Sequence, residues 1–274
     1  MHLPPQLFSG MPELAEVEWF RKQWNPGLGQ EVLDVQAHSR KYIFRGTDGD
    51  ALRQNLIGEK LLRSKRSGKQ MLFEASGDNW LGIHLGMTGK TQIRAANFQP
   101  GKHDHLVLRQ RDRALVFTDP RQLGQVRFYH GKYEPDWWKD RPPDIDSPGF
   151  SRKFFNDFLE RHRKAPIKAA LLMQNGFPGI GNWMADEILW RAKILPSKRI
   201  RKLTSDERAE IFRKTKWVVR HSLATLGESF SDPPKKWLIH QKWKRHGICP
   251  IHRTPLKHAT VAGRTTAWCA KCQR

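Results

Sequence analysis

Two hydrophobic periods divide this chain, and the point where one gives way to the other limits what it can fold into. Residues 31–37, 41–45, 60–67, 70–75, 80–85, 105–110 and 114–118 are short β-prone runs separated by Gly, Asp and Ser turns. Leu106-Val107-Leu108 and Leu115-Val116-Phe117 flank Arg111-Asp112-Arg113 as a hairpin. From 136 to 149 the chain is rich in Pro and Asp, and Arg141-Pro142-Pro143-Asp144 and Ser147-Pro148-Gly149 can continue neither helix nor strand. Beyond it the period is helical. Ser151 caps a helix carrying Phe154, Phe155, Phe158 and Leu159; residues 167–174 add a turn or two; Thr204-x-x-Glu207 is a capping box for a helix with Ile211, Val218, Leu223 and Leu226 that ends at Gly227. The pattern predicts an α+β chain: an antiparallel sandwich or barrel with no helices between its strands, then a helical domain.

Charge follows the same division. The chain carries +22 overall; residues 1–149 hold 22 Lys+Arg against 18 Asp+Glu, and residues 150–274 hold 27 against 9. So uneven an excess points to a polyanion, most simply nucleic acid, bound mainly by the second half. A hydrophobic content of 38% with 11 tryptophans argues against disorder. No apolar run is long enough for a bilayer, and residues 1–10 have no basic region of a secretory signal, so a cytosolic protein is expected.

All three cysteines fall in the last 26 residues, as Cys249-Pro250-Ile251-His252 and Cys269-Ala270-Lys271-Cys272. Two ligand pairs, each on a tight turn, can converge on one tetrahedral, structural Zn²⁺. His246 and His258 are alternative fourth ligands, less well spaced. Between the pairs, residues 257–261 and 265–268 read as two strands joined at Ala262-Gly263-Arg264.

The basic chain has an acidic opening, Met11-Pro12-Glu13-Leu14-Ala15-Glu16-Val17-Glu18. Pro at a first helical position with acids in the first turn is ordinary helix punctuation. Leu14, Val17 and Trp24 continue the helical spacing until Asn25-Pro26-Gly27. Were Pro12 the first residue, however, its ring nitrogen would be a free secondary amine with Glu13 beside it. Such an amine titrates near neutrality, roughly pKa 7.7 to 8.0, and can form an iminium with a sugar carbon. Glu13 would then be placed to move protons. Four further segments carry chemistry: the turn ending at Gly68-Lys69, the loops His84-Leu85-Gly86-Met87-Thr88-Gly89 and Asp119-Pro120-Arg121-Gln122-Leu123-Gly124, and the Gly-rich turn Asn175 to Gly181 feeding a helix at Asn182. That helix terminus leaves backbone N–H groups free for an anion.

The opening stretch, the two loops, the run Gly176 to Glu187 and the cysteine pairs, in this order, resemble the formamidopyrimidine-DNA glycosylase family, related to endonuclease VIII. The resemblance leans to the formamidopyrimidine branch. It implies a DNA glycosylase with abasic-site lyase activity, acting as a monomer on damaged double-stranded DNA in the bacterial cytoplasm and nucleoid. The second domain becomes a helix-two-turns-helix domain with a zinc β-hairpin finger, the two domains gripping bent DNA between them. By the same resemblance, Pro12 attacks C1′, Glu13 transfers protons and Glu16 organises the pocket. Lys69, His84, Asn182, Lys168 and Arg264 hold phosphates. Met87, Arg121 and Leu123 fill the gap left by an extruded base. Two positions depart from the family: Leu123 stands where Phe is usual, and His252 replaces a fourth cysteine.

The implied layout is an extension over 1–11, absent from the working enzyme, a catalytic sandwich over 12–140, a linker over 141–150, the helical domain over 151–235 and the finger over 236–274. Segment 228–245 occupies the place of a lesion-capping loop without its pattern. A non-catalytic binder of abasic or distorted DNA, with its amine lost, is the rival reading. A zinc-ribbon RNA-binding protein fits the charge but leaves Pro12-Glu13 and Met87 unexplained.

Overall fold

The computed structural model describes residues 11–274, which form two compact units. Glu16–Arg141 makes one, together with Met11 and Pro12; Pro142–Arg274 makes the other, together with Glu13–Ala15. The opening helix α1 (Leu14–Gln23) therefore begins in one unit and continues in the other.

In the first unit, β1 (Asp34–Ala37) is followed by helix α2 (Gly49–Leu56) and seven strands: β2 (Leu61–Ser67), β3 (Gln70–Ala75), β4 (Asn79–His84), β5 (Lys90–Ala95), β6 (Asp104–Arg109), β7 (Arg113–Thr118) and β8 (Gln125–His130). They form two four-stranded antiparallel sheets, ordered β1-β6-β7-β5 and β2-β3-β4-β8. Trp24, just after α1, is fully buried with its ring 4.9 Å from that of Phe73 on β3. The Thr91 hydroxyl on β5 donates to the Phe20 carbonyl of α1, so this helix touches both sheets. A short helix α3 (Asp136–Lys139) ends the unit, setting Trp138 beside Leu72 and Trp80.

Three expectations fail here, each for a physical reason. Residues 41–45 make a 3-10 turn, Tyr42–Phe44, whose neighbours Ile43 and Phe44 are both buried, whereas adjacent strand residues face opposite ways. Helix α2 interrupts the strands; its signals are Asp48, whose carboxylate accepts from Asp50 and Ala51 N–H, and the buried i, i+4 pair Leu52 and Leu56. Strands β5 and β8 fall outside the expected set: each is the edge of its sheet, and polar residues break up its apolar ones, Lys90, Gln92 and Arg94 in β5 and Gln125, Arg127 and His130 in β8.

The second unit holds α4 (Arg152–Arg161), α5 (Ile167–Leu171), α6 (Asn182–Ala192), α7 (Ser205–Ser229), α8 (Ile239–Lys242) and the hairpin β9 (Lys257–Val261) and β10 (Arg264–Trp268). Ser151 caps α4 through Phe154 N–H, and the Thr204/Glu207 capping box opens α7. The latter helix runs two residues beyond the expected end. Gly227 is buried inside it, and Phe230 makes the left-handed cap at φ 54°. Phe177 stands edge-on to Phe155 and Phe158 at centroid distances of 5.8 and 5.5 Å, at the heart of the core. Segment 228–245 is anchored at its middle: Trp237 is buried against Trp183 and Trp217, and the Arg191 guanidinium lies over the Trp217 and Trp237 rings. No described helix is long and apolar enough to cross a membrane.

Urea unfolding separates packing from capping: Phe177→Ala is expected to cost about 3–5 kcal/mol and Thr204→Ala about 1 kcal/mol.

Candidate active site and nucleic-acid interface

The anion site read from the Gly-rich turn is filled by the protein itself. Glu13 is buried, and its carboxylate accepts from Gly181 N–H (2.9 Å), Trp183 N–H (2.8 Å) and Met184 N–H (3.1 Å) at the start of α6. This corrects the expectation of backbone N–H groups left free for a phosphate. The helix has no cap of its own, since Gly181 brings no side chain. Gly181 is in extended backbone, and its need is for space: a Cβ there would lie 2.3 Å from the Glu13 carboxyl carbon. Gly179, at φ +88°, accepts from Leu14 N–H through its carbonyl (3.0 Å) and would clash with the Leu14 side chain if it had one. Charge-assisted bonds to orphan N–H groups and the positive end of the helix together pin residue 13.

Beside this terminus lies a buried ionic cluster. Lys168 is fully buried; its ammonium lies 2.6 Å from Asp186 Oδ1 and donates to Thr266 Oγ1 (2.7 Å) and the Thr265 carbonyl (3.2 Å). Lys242 is equally buried and reaches the other Asp186 oxygen and the Asn182 carbonyl. Burial pushes the Lys168 ammonium down to about 8 against the opposing pull of Asp186. A lysine so enclosed ties α5 to α6 and β10, which is not the exposed phosphate contact expected of it. Asn182 donates from its amide to the Thr265 carbonyl (3.0 Å), while Arg264 is exposed at the hairpin tip after Ala262-Gly263.

Cys249, His252, Cys269 and Cys272 offer ligand atoms that all lie within 4.8 Å of one another. His252 Nδ1 is 3.7 Å from Cys249 Sγ and 3.6 Å from Cys269 Sγ. Bond lengths of about 2.3 Å to sulfur and about 2.0 Å to nitrogen give tetrahedral edges near these values, so the donor set fits a closed Zn²⁺ site. His258 instead faces the Lys242 carbonyl.

In the first unit, strand register assembles the remaining residues. Ser67 pairs with Gln70, Gln70 with His84, and His84 with Gln125, so three connections meet at one end of the sheet. They are the Gly68-Lys69 turn, the loop after β4 holding Met87, and the loop before β8 holding Arg121 and Leu123. Arg141 braces the first through Gln70 Oε1 and the Ser67 carbonyl while lying over the Trp138 ring. Lys69 Nζ is 4.0 Å from Met11 Sδ, which puts this lysine beside the start of the motif. His84 Nδ1 accepts from Gly86 N–H (3.0 Å), leaving Nε2 as the donor. Burial, followed by the cations Lys69, Arg45, Arg127 and Arg141, lowers the His84 pKa to about 4. Arg121 and Leu123 are exposed, Met87 is half-buried and Glu16 is buried within α1.

Sequence reasoning missed Arg45, which donates to the Gly124 carbonyl (2.8 Å), and Asp119, Asp186 and Lys242. For Asp186 a signal existed: it sits with Glu187 in Trp183-Met184-Ala185-Asp186-Glu187-Ile188-Leu189-Trp190, a helix that is buried all round.

Gly181→Ala is expected to displace the Glu13 carboxylate and lower single-turnover activity at least about tenfold, read by kinetics. His84 gives a pH signature. Its folded pKa lies below the ordinary 6.5, so its contribution is complete above that value and is lost as pH falls from 6.5 toward 4. The stability difference between the protein and His84→Gln should shrink by up to about 3 kcal/mol over that window in urea titrations.

The model for the formamidopyrimidine-DNA glycosylase N-terminal domain matches residues 11–126, and that for the H2TH domain of the same enzymes matches residues 142–233. The formamidopyrimidine-DNA glycosylase of Thermus thermophilus is 32% identical, over 96% of this chain and 98% of its own. That of Carboxydothermus hydrogenoformans is 29% identical, over 96% and 100%. The Lactococcus lactis enzyme in complex with DNA containing an oxidised pyrimidine superposes with a TM-score of 0.86 at 28% identity, covering 96% of this chain and all of that one. The same enzyme bound non-covalently to abasic-site DNA gives a TM-score of 0.84 at 27% identity, over 96% and 99%. With both of its domain models matched and relatives aligned end to end, the chain belongs to the formamidopyrimidine-DNA glycosylase family.

Proposed function

We propose that this protein is a base-excision-repair DNA glycosylase and abasic-site lyase whose nucleophile is the amine of Pro12, freed when residues 1–11 are absent. The observation that carries the reading is the seat of Glu13: three N–H donors at the start of α6 hold the carboxylate of the residue next to Pro12. The family model's match beginning at residue 11 supports the same start. In the reaction the Pro12 nitrogen forms a bond to C1′ as the glycosidic bond breaks and the base leaves with a proton. The sugar ring opens and the nitrogen lone pair completes an iminium. Loss of a C2′ proton then expels the 3′ phosphate, and a second elimination expels the 5′ phosphate. Glu13, beside the amine, is the nearest proton carrier.

Oxidised purines are the proposed lesions, and oxidised pyrimidines come second because the Lactococcus relative was solved with one. Lys69 and His84 hold phosphate in the first unit; Asn182 and Arg264 do so in the second, on the strongly basic half of the chain. Met87, Arg121 and Leu123, carried on adjoining loops, fill the stack after the base is extruded. A Zn²⁺ held by Cys249, His252, Cys269 and Cys272 stabilises the hairpin that presents Arg264 and takes no part in the chemistry. The working enzyme is a monomer of sandwich (12–140), linker (141–150), helical domain (151–235) and finger (236–274), acting in the bacterial cytoplasm. With residues 1–11 attached, the Pro12 nitrogen is an amide, and the protein is then a binder of abasic DNA without catalysis.

Borohydride trapping on 8-oxoguanine and abasic duplexes tests this with protein beginning at Met1 and at Pro12, each verified by intact mass. An adduct from the Pro12 form alone is expected; no adduct from either form, with tight abasic-site binding retained, makes it a binding protein.

A further inference from the structure

Asp119 is fully buried, yet it belongs to neither sheet. Its Oδ1 accepts from the Thr88 hydroxyl (2.6 Å) and more distantly from Arg121 N–H (3.3 Å), and its Oδ2 accepts from Gly124 N–H (2.8 Å). Its backbone is held as well: the N–H donates to the His103 carbonyl (2.9 Å), and its carbonyl lies 2.9 Å from His105 Nε2. One carboxylate thus joins the loop that carries Met87 to the loop that carries Arg121 and Leu123. The two backbones are in direct contact at the same place. Gly86 is left-handed at φ +62°, and a Cβ on it would lie 2.5 Å from Leu123 C and Gly124 N. From the other side, the Arg45 guanidinium donates to the Gly124 carbonyl (2.8 Å).

We infer that Asp119 is a positioning residue that locks the two loops into one rigid wedge, with Thr88 as its partner across the gap. This rests on the reading that Met87, Arg121 and Leu123 enter the DNA stack. Ordering a free loop costs backbone entropy for each residue fixed, and side chains on separate loops would bear that cost at each insertion. A pair of loops tied beforehand through a buried, fully bonded carboxylate does not. The carboxylate bears no exposed charge toward DNA phosphates, because its oxygens are engaged by hydroxyl and N–H donors within the protein.

The test compares Thr88→Val, Thr88→Ser, Asp119→Asn and, as a reference, Met87→Ala, all beginning at Pro12. Two readouts are made. One is the fluorescence of 2-aminopurine opposite a tetrahydrofuran site in duplex DNA, which reports disruption of the stack without catalysis. The other is the ratio of the dissociation constants for that duplex and for the same lesion in single-stranded DNA. Thr88→Val and Asp119→Asn are expected to lose most of the fluorescence change and to weaken duplex binding about tenfold relative to single-strand binding, and Thr88→Ser to restore both. Thr88→Val covers the case in which Asp119→Asn fails to fold, since it removes only one oxygen from a partly exposed side chain. Wild-type values for Thr88→Val beside a defective Met87→Ala would overturn the locking role and leave the wedge reading intact. Wild-type values for Met87→Ala as well would overturn the wedge reading itself. Equal losses on duplex and single strand would reduce Asp119 to general stability.

Discussion

One carboxylate seated on one helix end, that of Glu13 on the start of α6, fixes where the chain enters α1. Without Glu13, α6 would begin with orphan N–H groups and no side-chain cap. Without the N–H groups at the start of α6, the buried Glu13 carboxylate would in turn lack its three backbone donors. The interaction serves both needs and explains the two glycines opposite it: Gly181 makes room for the carboxylate, and Gly179 makes room for Leu14. An acidic opening in a chain of net charge +22 is thus an anchor and not a counterweight.

The same device recurs. Glu13, Asp119 and Asp186 are all buried, and each is bonded to partners far from it in sequence: helix N–H groups, the Thr88 hydroxyl, and two lysines. Surplus positive charge faces outward for a polyanion, while the few buried acids fix the geometry of the elements that present it. In the Lys168–Asp186–Lys242 cluster two cations share one carboxylate, so removing Asp186 would leave two buried ammonium groups, a far costlier change than losing a surface pair.

Much of this was legible from residues alone. The helix caps, the period change and the cysteine spacing are local signals, and Ser151, Thr204 and the Cys/His quartet sit as their chemistry demanded. The family and its α+β fold followed from motifs that span the chain. What was not legible was non-local or masked by composition. Edge strands β5 and β8 lack an apolar run, and α2 is short with a Gly at its start. Lys168 read as a phosphate contact because a lysine in a basic chain is normally solvated; its burial depends on Asp186 and Thr266, neither of them near it in sequence. The Gly-rich turn read correctly as an anion site, but the sequence could not say that the anion is Glu13.

Peptide mapping of a borohydride-reduced DNA adduct by tandem mass spectrometry tests the central claim most directly, because it locates the covalent bond. Lys69 is the informative competitor, its ammonium lying beside Met11. A reduced linkage on the nitrogen of residue 12 is the predicted result, and it should weaken when Gly181→Ala unseats Glu13. A linkage on Lys69 or any other lysine would contradict an account in which a helix-anchored carboxylate exists to hold the amine.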